Sequence, residues 1–279
     1  MMTRRRPNRR ETFNMMGIDT VVLPVAGNGS RMRPATDAIA KEMLPIYDTP
    51  LLQFALSEAA AAGARRIVLV TRASKPGFDK YIDHLAAQPD SFLAGVDVQF
   101  VEQDEPLGLG HAVLCARRCT LPGAIGVILP DDLILGEPAL AEMAASFDPR
   151  RMKSLVAAQK VDRASVGSYG IFDIDGDDSI ARVMPAHDLV EKPDPEKAPS
   201  QYAAVGRYVL AEEIWDQLER TGPGAGDEIQ LTDAITALGG IHGFRFSGRR
   251  YDCGNKEGWF AATEAYRRSC LQSELTAAE

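Results

Sequence analysis

The most constraining feature of this chain is a rhythm: from Thr20 onward, short β-rich runs alternate with helical patterns. "TVVLPVA" reads as a buried strand, and "PLLQFALSEAAAAG" then places Leu51, Leu52, Ala55 and Ala59 on one helical face, with Gly63 as a stop. "RRIVLVT" is the next strand, and Phe78, Tyr81, Ile82 and Leu85 mark the next helix. "VDVQFVEQ" alternates like a strand, "LGHAVLCARR" returns to helix, and "AIGVILPDD" is a near-continuous apolar strand ending in two aspartates. Crossovers of this kind predict an α/β fold: a doubly wound, mostly parallel sheet covered on both faces. Ligands of such sheets lie beyond the carboxyl ends of the strands. That rule puts three features on one rim: the glycine loop after Val25, the segment after Val101, and Asp131-Asp132.

The second half is more mixed. "KSLVAAQKV", "YGIFDID", "IARVMP" and "AAVGRYVL" are strand-like, helices are expected over 211–220 and 228–238, and "GFRFSGRRYDCGN" reads as a hairpin or an edge pair. No repeat or low-complexity linker divides the 279 residues, which suit one large α/β domain or two modest ones. The expectation is a single domain over 18–270, a disordered Arg-rich leader over 1–17 and a tail over 271–279. The net charge of −8 argues against a general nucleic-acid binder, yet leaves room for a few cations facing an anionic small substrate in one cleft. Cys115, Cys119, Cys253 and Cys270 show no metal or disulfide spacing. The leader lacks a signal peptide's apolar core, and no stretch approaches the roughly 18 apolar residues of a membrane span. The expected compartment is the cytoplasm, with no membrane and no nucleic-acid partner.

Four groups of residues carry candidate chemistry. Gly27 and Gly29 let the backbone turn sharply and approach a ligand, so that successive N–H groups can face a phosphate. Two glycines alone fit a tight βα turn equally well. "GNGSRM" has Met32 where a dinucleotide loop needs its third glycine, and no P-loop motif is present. Arg31 and Lys41 in the same loop tip the reading toward a triphosphate. Asp131 and Asp252, if brought together on the rim, would suit Mg²⁺, which takes one or two carboxylates plus phosphate oxygens and water. A loop or helix-capping carboxylate is the plainer reading of Asp131. In "VEKP", the proline is expected to hold Lys192 extended, so that Glu191 and Lys192 point to opposite sides; the triplet alone also fits a plain surface.

Taken in order, "PVAGNGSRMRPAT…KEMLPI", "GLGHAV", "LPDD", "VEKP", "VGRYVL", "GAGDEIQLTDAI" and "DCGNK" closely resemble the bacterial UTP–glucose-1-phosphate uridylyltransferases (UDP-glucose pyrophosphorylases). The likeness runs from about Val21 to Trp259. It implies a nucleotidyltransferase (Rossmann-like) sheet with an added β-rich sugar-binding part, and transfer of uridylyl from UTP to glucose 1-phosphate with release of pyrophosphate. Carried over position by position, it implies Ala26, Gly27, Gln103 and Gly108 around uracil and ribose. Gln103 is apt because an amide both donates and accepts, as a uracil edge requires. Gly29, Arg31 and Lys41 would take the triphosphate, and Asp131 and Asp252 would hold Mg²⁺. Gly170, Glu191 and Lys192, with Asp132 nearby, would hold the sugar phosphate. The family also implies a homodimer or homotetramer.

Asn28 and Ser30 stand where the family usually has Leu and Thr, Arg33 where it is commonly apolar, Asp37 for a Lys and Ala40 for a Pro. Asp37 removes a cation near the triphosphate loop, so weaker nucleotide affinity is expected. His84, His111, His187 and His242 are read as packing, hydrogen-bonding or surface residues. A thymidylyltransferase using the same rim, and a silent sugar-nucleotide sensor, are the alternatives.

Overall fold

The computed structural model describes residues 17–72, 77–174 and 181–277; all of the expected leader over 1–17 but Gly17 lies outside them. In chain order the strands are β1 Thr20–Pro24, the short pair β2 Pro45–Ile46 and β3 Thr49–Pro50, β4 Arg66–Thr71, β5 Asp97–Glu102, β6 Ile125–Ile128 and β7 Asp132–Leu135. They continue with β8 Ser154–Lys160, β9 Gly170–Asp173, β10 Val183–Ala186, β11 Asp188–Glu191, β12 Tyr202–Leu210, β13 Ile241–Phe244 and β14 Arg249–Asp252. The α-helices are α1 Leu51–Ala61, α2 Phe78–Ala86, α3 Leu109–Cys115, α4 Ala139–Ser146, α5 Ile214–Arg220, α6 Leu231–Leu238 and α7 Lys256–Ala277.

The main sheet runs β10-β13-β8-β12-β6-β1-β4-β5, with β9 paired to β12 and β11 paired to β9. β1 lies parallel to β4 and β6, β4 to β5, and β13 to β8, whereas β12 is antiparallel to both β6 and β8. The sheet is therefore mixed: the contiguous β6-β1-β4-β5 part is parallel, as the rhythm predicts, while β10–β13, β9–β11 and the pairings of β12 are antiparallel. Successive β1 side chains serve opposite layers: Val21 and Leu23 join a core with Leu56, Phe78 and Leu140, and Val22 joins one with Val113, Trp215 and Ile235. Ile67 and Leu69 against Val68 and Val70 repeat the division one strand over. The strict period of two in an all-apolar run is what a doubly wound sheet demands, because both faces must be dry.

Three expectations need correction. "GFRFSGRRYDCGN" forms no hairpin: β13 inserts between β10 and β8 in the main sheet, and β14 leaves to pair antiparallel with β7. Ile241 and Phe244 find dry layers on the main sheet, whereas Arg250 needs the carboxylate of Asp132. The second-half helices begin at Ile214 and Leu231, three residues later than expected. Ala211 N–H still donates to Lys153 O, and Ile229 is held extended by Leu107 O and Gly110 N–H. Finally, 271–279 is no separate tail over its described part, since α7 continues to Ala277.

One buried ion pair fastens the layers. Arg207 of β12, 2% exposed, donates from Nε and Nη2 to Oε1 and Oε2 of Glu58 in α1, at 3.0 and 2.7 Å. Its Nη1 donates to the carbonyls of Leu129 and Asp132. Breaking such a pair on one side leaves a buried charge uncompensated and costs about 3–5 kcal/mol. Glu58→Gln is accordingly expected to destabilise the protein by about that amount in urea unfolding, with the double change Glu58→Met/Arg207→Met recovering much of the loss.

Candidate active site

Two cavities open on the rim beyond β1, β5 and β6, and they share Leu109, Leu129 and Asp131. The first, about 380 Å³, is lined by Ala26, Gly27, Lys41, Arg72, Gln103 and Gly108. The second, about 440 Å³, includes Tyr169, Gly170, Glu191, Tyr208, Thr232 and Arg250 in its walls. Both fall in the size range of small-ligand sites.

Two chain segments form the mouth of the first cavity. Gly108 has φ +100°, and a Cβ there would stand 2.7 Å from Glu228 Cβ and 2.9 Å from Ile229 O. Only glycine lets the "GLGHAV" turn lie this close to "GAGDEIQL". The backbone seals the contact, with Ile229 N–H donating to Leu107 O at 2.7 Å and Gly110 N–H to Ile229 O at 2.8 Å. Gln103, 5% exposed, is not free to do both jobs expected of it. Its Nε2 lies 3.1 Å from Gly108 O and 3.1 Å from His111 Nδ1, so the amide donors are committed within the protein.

The distant aspartates do meet. β14 runs against β7 with Asp252 opposite Asp132, and Cys253 N–H donates to Asp131 O at 2.7 Å. At Gly254, a Cβ would stand 3.0 Å from Asp252 Oδ1, 3.1 Å from Asp131 Oδ2 and 2.7 Å from Arg31 Nη2. The absent side chain thus leaves a cradle into which two carboxylates and a guanidinium each turn an atom. Among the described residues no group of three or more His, Cys, Asp or Glu gathers as a metal cage. A divalent cation here would draw the rest of its shell from phosphate oxygens and water.

Lys41 Nζ donates to Asp131 Oδ2 at 2.6 Å and lies 3.6 Å from where a Gly27 Cβ would be. Burial alone would push the Asp131 carboxyl up, but Lys41 and, more weakly, Arg31 hold it below its ordinary value. Burial likewise favours neutral Lys41, yet Asp131 and Glu42 outweigh it and keep the ammonium above its usual range. Asp132 takes a different part from its neighbour. Its Oδ2 accepts from Gly206 N–H at 2.7 Å and its Oδ1 from Arg250 Nε at 2.6 Å. Both oxygens accept from protein donors, and Asp132 also lines the second cavity. Burial is the main reason its carboxyl lies above the ordinary value, Arg250 opposing and Asp131 reinforcing the shift.

Glu191 lines the second cavity with Gly170, and Thr232 Oγ1 donates to its Oε2 at 3.1 Å. Lys192 departs from expectation. It is not extended but has φ +45°, because its N–H extends the ladder to Tyr169 O at 2.9 Å and the chain then turns. Its exposed ammonium stands outside the cavity wall, 3.4 Å from Glu191 Oε1. Asp37 also differs in effect from expectation: it pairs with Arg33 at 3.2 Å on the surface, so the two unusual charges cancel one another.

Several site residues escaped the sequence reading. Arg72 lines the first cavity and donates to Asn28 Oδ1; a lone arginine after "VLVT" gives no signal of this. Arg250 stacks 5.2 Å over the Tyr169 ring in the second cavity's wall. Tyr208, also in that wall, has its hydroxyl pushed well above its ordinary pKa by burial first and by Asp132 and Glu191 next, so it remains a donor.

The family profile described as nucleotidyl transferase matches residues 20–269. A UTP–glucose-1-phosphate uridylyltransferase of Escherichia coli K12 is 39% identical, the match covering 93% of this chain and 94% of that protein. A Bacillus subtilis protein of the same name is 39% identical, with 92% of each covered. Among solved structures, a UDP-glucose pyrophosphorylase complexed with UDP-glucose superposes with a TM-score of 0.79 at 34% identity, covering 90% of this chain and 99% of that one. A UTP-bound enzyme of the same kind from Acinetobacter baumannii gives 0.79 at 35% identity, covering 89% and 93%.

The Lys41–Asp131 pair carries a signed prediction. A carboxyl held low contributes stability above its unfolded pKa, about 3.9, and loses it as pH falls through the folded value. An ammonium held high contributes below about 10.5 and loses it as pH rises. The stability difference between wild type and Asp131→Asn, followed by urea unfolding, is expected to be level from about pH 5 to 9 and to shrink below about pH 4.

Proposed function

Because this chain belongs to the nucleotidyl transferase family, we propose that it transfers uridylyl from UTP to glucose 1-phosphate, releasing pyrophosphate, as the names of the Escherichia coli and Bacillus subtilis relatives suggest. The observation that carries this reading is the sharing of Asp131 between two cavities, with Lys41, Arg31 and Asp252 around it. A reaction between two phosphorylated molecules needs adjoining sites with cations at the junction.

No protein nucleophile is required. The phosphate of glucose 1-phosphate is an anion at neutral pH and can attack the α-phosphorus of UTP in line, so the protein's task is alignment and charge neutralisation. Like charges about 4 Å apart in a partly screened site repel by about 4 kcal/mol. Lys41 in the first cavity and Arg31, in the wall of the second beside Asp131, are the chain's own means of offsetting this at the junction. Arg72, beside Gly27 and Lys41, adds a third cation in the first cavity. Ala26, Gly27 and Gly108 would wall the uridine, with Gly29 keeping the triphosphate loop open. In the second cavity Glu191, held by Thr232, would accept sugar hydroxyls, and Lys192 at its rim would meet the phosphate. Asp131 and Asp252 would hold Mg²⁺, their Oδ2 and Oδ1 converging on the Gly254 cradle, from which the Arg31 guanidinium would have to withdraw. When bound, the metal would supply Lewis-acid neutralisation of the phosphate oxygens.

None of the helices described is long and apolar enough to cross a membrane. A cytoplasmic location and a homodimer or homotetramer belong to the same proposal, the latter readable by size-exclusion chromatography.

A pyrophosphate-release assay with UTP, dTTP and CTP against glucose and galactose 1-phosphates tests the activity; silence with UTP and glucose 1-phosphate would refute it. Asp131→Asn and Asp252→Asn are each expected to lower kcat about a thousandfold with unchanged circular dichroism, and wild-type rates in either would remove the metal assignment. Lys192→Ala is expected to raise KM for glucose 1-phosphate about ten- to hundredfold while sparing KM for UTP; the opposite pattern reverses its role.

A further inference from the structure

Another cavity, of about 380 Å³, lies where the end of β8 meets the starts of β12 and β14. It shares no lining residue with the first cavity and only Arg250 with the second. Its wall holds Lys160, Arg245, Arg249 and Arg250, and no carboxylate. Arg245 is already engaged, and Arg250 is held by Asp132. Lys160 and Arg249 form no ion pair among the described residues; each instead lies by an aromatic ring. Lys160 Nζ is 5.9 Å from the ring centre of Tyr202, its partner across the β8–β12 pairing, and Arg249 Cζ is 5.3 Å from that of Tyr251. An aromatic face steadies a cation without neutralising it, so both keep their full charge.

Gln159 is a second, independent mark. It lines the same cavity, its Oε1 is sealed from solvent without a partner, and no described residue hydrogen-bonds its amide nitrogen. A wall amide that no protein group engages has a donor to spare for a ligand. Ammonium, guanidinium and amide donors together suit phosphate oxygens. The Arg250 side chain is only 8% exposed, so a ligand reaching it must enter a hollow, which a flat bilayer surface does not do.

We infer that this cavity is a separate anion site for a small phosphorylated molecule, whose binding weakens that of the sugar phosphate through Arg250. Arg250 belongs to both walls. Its Nε donates to Asp132 Oδ1 at 2.6 Å, and its guanidinium stacks 5.2 Å over the Tyr169 ring in the second cavity. An anion in the further cavity competes with Asp132 for that guanidinium, and a shift of Arg250 loosens the wall that Tyr169 shares. Two ligands that favour different placements of one side chain weaken each other by the same factor. The site stands without the uridylyl-transfer reading; the coupling rests on it.

The probe is labelled inorganic phosphate, dialysed to equilibrium against the full chain with UDP-glucose filling the two substrate cavities. Wild type is expected to bind about one phosphate per chain, and Lys160→Gln/Arg249→Gln, folded by thermal melting, to bind at least tenfold more weakly. No binding to wild type, or equal binding to both, overturns the site. In turnover at constant ionic strength, phosphate is expected to raise the wild-type KM for glucose 1-phosphate about five- to tenfold and to spare KM for UTP. The double variant, with wild-type rates in the absence of phosphate, is expected to lose most of that rise. The same rise in both proteins puts phosphate in the substrate site and overturns the coupling. Co-sedimentation of wild type, but not of the variant, with phosphatidylglycerol vesicles assigns the cations to a lipid surface and overturns the small-molecule site. A wild type that neither binds UDP-glucose nor releases pyrophosphate sinks the uridylyl-transfer reading, and the phosphate comparison without UDP-glucose then still decides the site.

Discussion

A guanidinium with almost no exposed surface holds this structure's functional end in shape. Arg207 reaches from β12 to Glu58 of α1 with two hydrogen bonds, and Glu58 Oε1 also accepts from Leu140 N–H at the start of α4. Through Nη1 the same side chain gathers the carbonyls of Leu129 and Asp132, which lie on either side of Asp131. Burying two ions costs several kcal/mol each, offset only when every donor and acceptor is used, as nearly all are here. What this arrangement specifies is direction: the loop between β6 and β7 is tied from below, so that Asp131 must rise into the space where the two cavities join.

Once the loop is so held, two adjacent aspartates become chemically different. Asp132 opens β7 and turns under the sheet edge to Gly206 N–H and Arg250, while Asp131 faces Lys41 and Arg31. Asp131 lies in the turn before β7 and Asp132 opens the strand, so the chain's change of direction sends one side chain to the cavities' junction and the other to a supporting network. Arg250, fixed by Asp132, in turn stacks on Tyr169 in the wall of the second cavity. The two cavities thus interleave cations (Lys41, Arg31, Arg72 and Arg250) with carboxylates.

The α/β architecture was legible because burial on two faces leaves an unmistakable mark. The stretches Val21–Leu23 and Ile67–Val70 admit no polar position where helices cover both sides, and helix faces between them repeat at helical spacing. The second half was harder to read. β13 and β14 are adjacent in sequence but belong to different sheets, because pairing partners of a strand are chosen by long-range fit and not by any local signal. Likewise, the late start of α6 follows from backbone bonds that Ile229 makes to the distant "GLG" turn.

At the site, residue types in sequence determined the kind of chemistry: glycines, an arginine and a lysine after a buried strand, two acids at separated turns, and motifs ordered as in a known family. They left open which groups are free to act. That Gln103 has spent its donors on Gly108 and His111, that Asp132 accepts from Gly206 and Arg250, and that Lys192 turns out of line are facts of tertiary structure. The reason is physical: a side chain's repertoire of hydrogen bonds is written in its covalent formula, but which of them remain for a ligand depends on neighbours brought from elsewhere in the chain.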